Sequence, residues 1–110
     1  MSESFFSYAG HPDVAIGEGG LTRRLLGFGG GLMLAQMDFA EGAVSAPHAH
    51  ATEQLTHCLS GEFECSVGDE SRRLGPGDSF YAGPGLPHGA RCIKAGRLLH
   101  VFTPQREDYK

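Results

Sequence analysis

His48-Ala49-His50-Ala51-Thr52-Glu53-Gln54 sets two imidazoles and a side-chain amide at positions i, i+2 and i+6. On an extended backbone, residues two apart point to the same face, so all three side chains converge on one point. On a helix of ~3.6 residues per turn, i and i+2 diverge by roughly 200° and do not share a small ion easily. Imidazole is the commonest metal ligand. The stretch therefore reads as extended chain that begins a metal site, and the fold has to supply strands around it and a further ligand.

The flanking sequence supplies strands. Leu21 to Phe28 and Leu32 to Phe39 are predicted strands joined by Gly29-Gly30-Gly31. The second alternates Leu32, Leu34, Gln36 and Asp38 on one face with Met33, Ala35, Met37 and Phe39 on the other, which suits a strand covered on both sides. A short strand is expected at Val14 to Ile16. From Gln54 the chain continues to Ser60, is expected to turn at Gly61, and returns as Glu62 to Val67. Gly68-Asp69 fits a two-residue hairpin turn. Leu74-Gly75-Pro76-Gly77-Asp78 fits a type II turn, with Pro at i+1 and Gly at i+2, and Gly83-Pro84-Gly85-Leu86 repeats it. Ser79 to Ala82, Gly89 to Ile93 and Arg97 to Thr103 complete the set. No 12-residue window sustains a capped helical pattern. Short strands with turn signals every 6 to 12 residues predict an all-β sandwich or barrel with little or no helix.

Composition narrows the function classes. A chain of 110 residues has the size of one domain, and 17 glycines ask for the many turns of an all-β fold. We divide it into an N-terminal arm at 1–20, expected to pack on a partner subunit, and a domain at 21–110. A net charge of −4 and a pI near 5.8 leave no basic footprint for nucleic acid or an anionic membrane. Cys58, Cys65 and Cys92 form no CxxC pair and no even disulfide framework, so they read as buried thiols in a reducing compartment. There is no secretory signal pattern at the N-terminus and no apolar run of ~18 residues. The expectation is a soluble, cytoplasmic protein, assembled as a homodimer. His11, followed by Pro12, reads as a surface residue.

His88 supplies the further ligand. It emerges directly from the Gly-Pro-rich turn, where two prolines restrict the backbone and fix its aim. Gly42-x5-His48-x-His50-x3-Gln54-x6-Gly61, followed by Gly77-x5-Gly83-x-Gly85-x2-His88, resembles the two motifs of the cupin superfamily. That resemblance implies a single-domain jelly roll with one divalent transition metal, Zn, Ni, Fe, Co, Mn or Cu, held by His48, His50, Gln54 and His88. The chain departs from the pattern in having Gln54 for the usual Glu, Cys92 for Asn, and Pro84 one position beyond the usual proline. Glu53 would point to the opposite face of a continuous strand, which leaves Gln54 as the ligand.

A narrower resemblance covers Leu21 to the C-terminus. Leu32-Met33-Leu34-Ala35, Glu53-Gln54, Leu59-Ser60-Gly61, Leu74-Gly75-Pro76-Gly77-Asp78 and Val101-Phe102-Thr103-Pro104-Gln105-Arg106-Glu107-Asp108-Tyr109 are similar to small cupins of the pectin-degradation (KdgF-type) group. In that group the fourth ligand is Gln, and the activity is conversion of 4,5-unsaturated uronates to linear keto acids. Its tail sets an Asp, a Phe and an Arg beside the metal. Phe102 and Arg106 match, and His100 stands at the Asp position.

Three imidazoles and an amide leave a divalent ion its full charge, which favours Lewis-acid chemistry on a small anionic substrate. His100 and Phe102 share one strand face by period 2. His100 is a candidate base, or a fifth ligand, and Arg106 offers a planar fork to a carboxylate. Two other functions use the same ligands: a dioxygenase or other oxidoreductase, and a non-catalytic cupin that binds a small molecule.

Overall fold

The computed structural model describes residues 3–110. Eight antiparallel strands account for most of it: β1 (Val14–Ile16), β2 (Leu21–Gly29), β3 (Leu32–Phe39), β4 (Val44–His48), β5 (Glu53–Val67), β6 (Glu70–Leu74), β7 (Ser79–Ala82) and β8 (His88–Thr103). Among the described residues the helical content is two 3₁₀ turns, Tyr8–Gly10 and Glu107–Tyr109. The all-β expectation holds. Gly68 in the β5–β6 hairpin and Gly77 and Gly85 in the Pro-Gly turns adopt φ of 58°, 94° and 73°, the left-handed values those turns need.

One expectation is corrected. The chain does not turn back at Gly61: β5 runs unbroken through it, and β8 likewise joins the two segments expected at Gly89 to Ile93 and Arg97 to Thr103. These two strands pair along their length, from Glu53 with Thr103 to Val67 with His88, with register irregularities between Cys58 and Phe63. In sequence, a glycine that bends a strand looks the same as one that reverses it.

The bend divides the pairing into two sheets. The first half of β5 and the second half of β8 lie with β3, β2, β1 and β7. The other halves lie with β4 and β6. The sheets face one another as a jelly-roll sandwich. Its core joins Leu21, Met37, Phe39, Cys58 and Leu98 from the first sheet to Phe63, Cys65, Leu74, Ala90 and Cys92 from the second. Phe39 and Phe63 meet edge to face, centroids 5.1 Å apart, and each buried aromatic stabilises the sandwich by roughly 1.5–3 kcal/mol. The three cysteines are free and buried, and burial pushes the Cys65 thiol up to about 12.

The bend needs bare backbone. Gly61 has φ of 83°, and a Cβ there would sit 2.5 Å from the Lys94 carbonyl oxygen and 2.7 Å from the Gly96 Cα. A Cβ on Gly96 would in turn collide with the Ser60 carbonyl. Gly61→Ala is therefore expected to lower the unfolding free energy by about 2–4 kcal/mol, read as a shifted urea midpoint. A loss of about 0.5 kcal/mol or less would show that the bend tolerates a side chain.

Candidate metal centre

The bent pair brings the histidine stretch and the second motif to one end of the sandwich. His48 closes β4 and is paired across the strands with His88, the first residue of β8. This closeness depends on Gly89, where a Cβ would lie 2.8 Å from the Ser45 carbonyl oxygen and 2.9 Å from the Pro47 nitrogen. His50 lies beyond the end of β4, in the corner leading to β5. The convergence of His48 and His50 is thus achieved by a corner rather than by the single continuous strand expected from their spacing. The Gly85 amide donates to the His50 carbonyl at 2.8 Å, tying that corner to the Pro-Gly turn that aims His88.

The ring nitrogens of His48, His50 and His88 lie within 4.8 Å of one another. In each ring Nδ1 faces a backbone carbonyl two residues away: Ala46 at 3.0 Å, Thr52 at 2.8 Å and Leu86 at 3.0 Å. Donation from Nδ1–H to those carbonyls places the Nε2 lone pairs inward, as in metal-binding histidines generally. Burial lowers the proton affinity of His50 and His88 below the ordinary imidazole value, which keeps them neutral.

Gln54, the second residue of β5, points its Oε1 into the same space, 3.2 Å from His50 Nε2 and 3.1 Å from His88 Nε2. With Nδ1 protonated in each ring, the three Nε2 atoms and Gln54 Oε1 are four acceptors facing one another. Two ligands bound at right angles to an ion at ~2.1 Å are about 3.0 Å apart, so the spacing fits a cation. The donor set suits a divalent transition metal, with no preference for one.

The orientation of Gln54 is itself held. Its Nε2 donates to Thr56 Oγ1 at 2.7 Å and to His100 Nδ1 at 2.9 Å, and Thr56 Oγ1 lies 2.7 Å from the same Nδ1. Thr56 and His100 are cross-strand partners on β5 and β8. With Nδ1 accepting, the His100 proton is on Nε2, which is buried and without a hydrogen-bond partner among the described residues. Burial first, then the neighbouring histidines and Arg106, bring the His100 pKa down to about 3. His100 is a neutral imidazole at working pH.

A cleft of about 300 Å³ opens beside this group. His48, Gln54, His88, His100, Phe102 and Arg106 all line it, so six of the seven residues singled out from sequence share one cavity. The seventh, His50, packs on Phe102 at 5.8 Å between centroids. Arg106 pairs with Asp108 through Nε at 3.2 Å and Nη2 at 2.8 Å and stacks on Tyr109 at 4.5 Å. That pairing holds the Asp108 carboxyl below the usual carboxylate range. His57 turns away from the cleft and bonds Ser79 Oγ at 2.7 Å. Sequence reading missed Thr56, whose even spacing from Gln54 was the available signal, and the cleft residues Arg23 and Tyr109.

Facing antiparallel sheets with a three-histidine group at one end define the class, and the cupin domain family matches residues 35–102. The chain belongs to the cupin family. It is 32% identical to the pectin degradation protein KdgF of Dickeya dadantii over 92 residues, covering 82% of this chain and 84% of that protein. Of solved structures, an RmlC-like cupin from Shewanella frigidimarina is similar at a TM-score of 0.91 and 38% identity, over 99% of this chain and 97% of that one. KdgF from Halomonas sp. is similar at 0.90 and 32% identity, over 99% and 100%.

Proposed function

We propose that His48, His50, Gln54 and His88 bind one divalent transition metal and that the chain is an isomerase- or lyase-type enzyme acting on a small sugar acid. Ring opening of a 4,5-unsaturated uronate to its linear keto acid is the reaction the site suits best. The observation that carries the reading is one cleft lined by His48, Gln54, His88, Phe102 and Arg106, with His50 completing the three-histidine group beside it, in a chain similar to a pectin degradation protein.

A bound divalent ion would supply Lewis acidity, polarising substrate oxygen and stabilising negative charge. The protein side of the chemistry follows from the residues. Arg106 presents its fork to the substrate carboxylate, partly freed from Asp108. Phe102, 1% exposed, walls the cleft and excludes water. Ring opening releases the O1 proton to solvent as the bond from C1 to the ring oxygen breaks, forming the C1 aldehyde and an enolate on the former ring oxygen; a proton from solvent then adds at C4 to give the keto acid. His100, holding its proton on Nε2, donates a hydrogen bond to that oxygen, as a neutral imidazole electrophile does. Its Nδ1 is already committed to Gln54 and Thr56.

The chain also carries a row of apolar side chains on the outside of the first sheet. Val101, Leu55 and Tyr81 are neighbours across β8, β5 and β7 and are 38, 49 and 55% exposed. We propose that a second copy covers this row. Leu55→Lys is expected to convert a dimer to a monomer in light scattering at unchanged secondary structure. A wild-type monomer would dismiss the pairing.

Thr56→Val removes one of the two partners of the Gln54 amide while keeping its shape. It is expected to weaken divalent-metal affinity about tenfold in chelator competition, and unchanged affinity would show that Gln54 is not held in this way. Proton NMR of an unsaturated uronate with the metal-loaded protein tests the reaction. Ring opening should exceed the spontaneous rate, and Arg106→Gln should lower kcat/KM by about 10–100-fold. A rate equal to the spontaneous one would remove the proposed activity.

A further inference from the structure

β2 carries two consecutive arginines, one on each face of the strand. Arg24, opposite Gln36, is engaged on the outside through Nε and Nη1. Its Nε donates to Asp13 at 2.9 Å, its Nη1 to the Tyr8 and His11 carbonyls at 2.6 and 2.7 Å, and its guanidinium lies 4.0 Å from the Tyr8 ring centroid. This arginine fastens the N-terminal segment to the sheet.

Arg23 faces the other way, into the sandwich. Its cross-strand partner is Met37, and the flanking pairs on that face are Leu21 with Phe39 and Leu25 with Ala35, all buried. Arg23 lines the cleft. Among the described residues its guanidinium has no hydrogen bond and no ion pair; it rests on the Tyr109 ring, 3.9 Å from the centroid. The one carboxylate lining the cleft among these residues, Asp108, is bound by two nitrogens of Arg106. Arg23 is only partly buried, and its donors face the cleft without a protein partner. An anion entering the cleft therefore meets a guanidinium that gives up no protein hydrogen bond to receive it.

We propose that Arg23 anchors a carboxylate site inside the cleft, with Tyr109 fixing its guanidinium, and that the ligand is a small sugar acid bound through its carboxylate. The inference rests on the reading that the ligand is a carboxylate, and adds which side chain selects it. Arg106 lies against the same Tyr109 ring, so a carboxylate seated there meets one arginine already shared with Asp108 and one with its whole fork uncommitted. The planar fork accepts both carboxylate oxygens at once, which a hydroxyl of a neutral sugar does not reproduce.

Calorimetric titration of the metal-loaded protein with glucuronate, and with glucose as the analogue lacking a carboxylate, tests the site. Wild type is expected to bind glucuronate and to bind glucose at least about tenfold more weakly. Arg23→Gln should lose at least about tenfold in glucuronate affinity, and Arg23→Lys should recover part of it. Metal content and melting temperature should be unchanged in both. Arg72→Gln, at a side chain 76% exposed and paired with Glu70 on β6, should bind as wild type. Equal glucuronate affinity in wild type and Arg23→Gln, equal binding of both sugars, or no glucuronate binding at all would each overturn the inference. Turnover of the unsaturated uronate on the same wild-type sample separates the two claims. Turnover with normal binding by Arg23→Gln removes the anchor and keeps the activity, whereas Arg23-dependent binding without turnover does the reverse.

Discussion

Both halves of the sandwich and the whole of the candidate site hang on the pairing of β5 with β8. These strands hydrogen-bond from Glu53–Thr103 to Val67–His88, and the Gly61–Gly96 contact lets both bend together. Without the bend, the first sheet could not turn its inner face toward the second, and Phe39 would not reach Phe63. Backbone pairing is an obligatory use of N–H and C=O groups, so register at one end of the pair fixes register at the other. That register also places Gln54 beside Phe102 and Thr56 beside His100.

The site inherits its order from this register. A glutamine amide has two chemically different ends, and a metal site needs the oxygen inward. Thr56 and His100, delivered side by side by the two strands, both face the nitrogen of Gln54. With His100 Nδ1 accepting, an amide turned around would set its oxygen against that lone pair. The three histidines are oriented by the same kind of device, each Nδ1 held by a carbonyl two residues away. Every inward-facing donor atom is therefore aimed by a partner outside it, and preorganisation of this sort is what such partners contribute.

Much of this was legible in the sequence, and the failures share a cause. The β2–β3 pair, the Pro-Gly turns and the motif spacing were readable because alternation and positive-φ glycines are local signals. Gly61 was misread because bending and reversal place the same demand on one residue, and only the partner strand distinguishes them. The arrangement of His48 and His50 depends on a corner closed by Gly89 and by the Gly85–His50 hydrogen bond, both contacts distant in sequence. Arg23 was invisible for another reason. In sequence Arg23-Arg24 is a pair of like charges. Only the pairing of β2 with β3 shows that one is spent on the outside and the other points inward.

His100 bears on the charge of the cleft as well as on its hydrogen bonding. Arg23, Arg106 and Asp108 give a net charge of one positive unit, and a divalent ion held by the neutral candidate ligands would add two more. A carboxylate at position 100 would offset part of this beside the metal ligands, whereas a neutral imidazole offsets none. In a chain whose overall charge is −4, the cleft is then a local positive well, and low-dielectric walls such as Met37, Leu98 and Phe102 strengthen it. Such a well holds an anion more tightly before any bond is broken. The positive charge of Arg106 also disfavours protonation of His100, which burial already keeps neutral. A neutral imidazole at position 100 thus leaves the cleft more positive than a carboxylate there would.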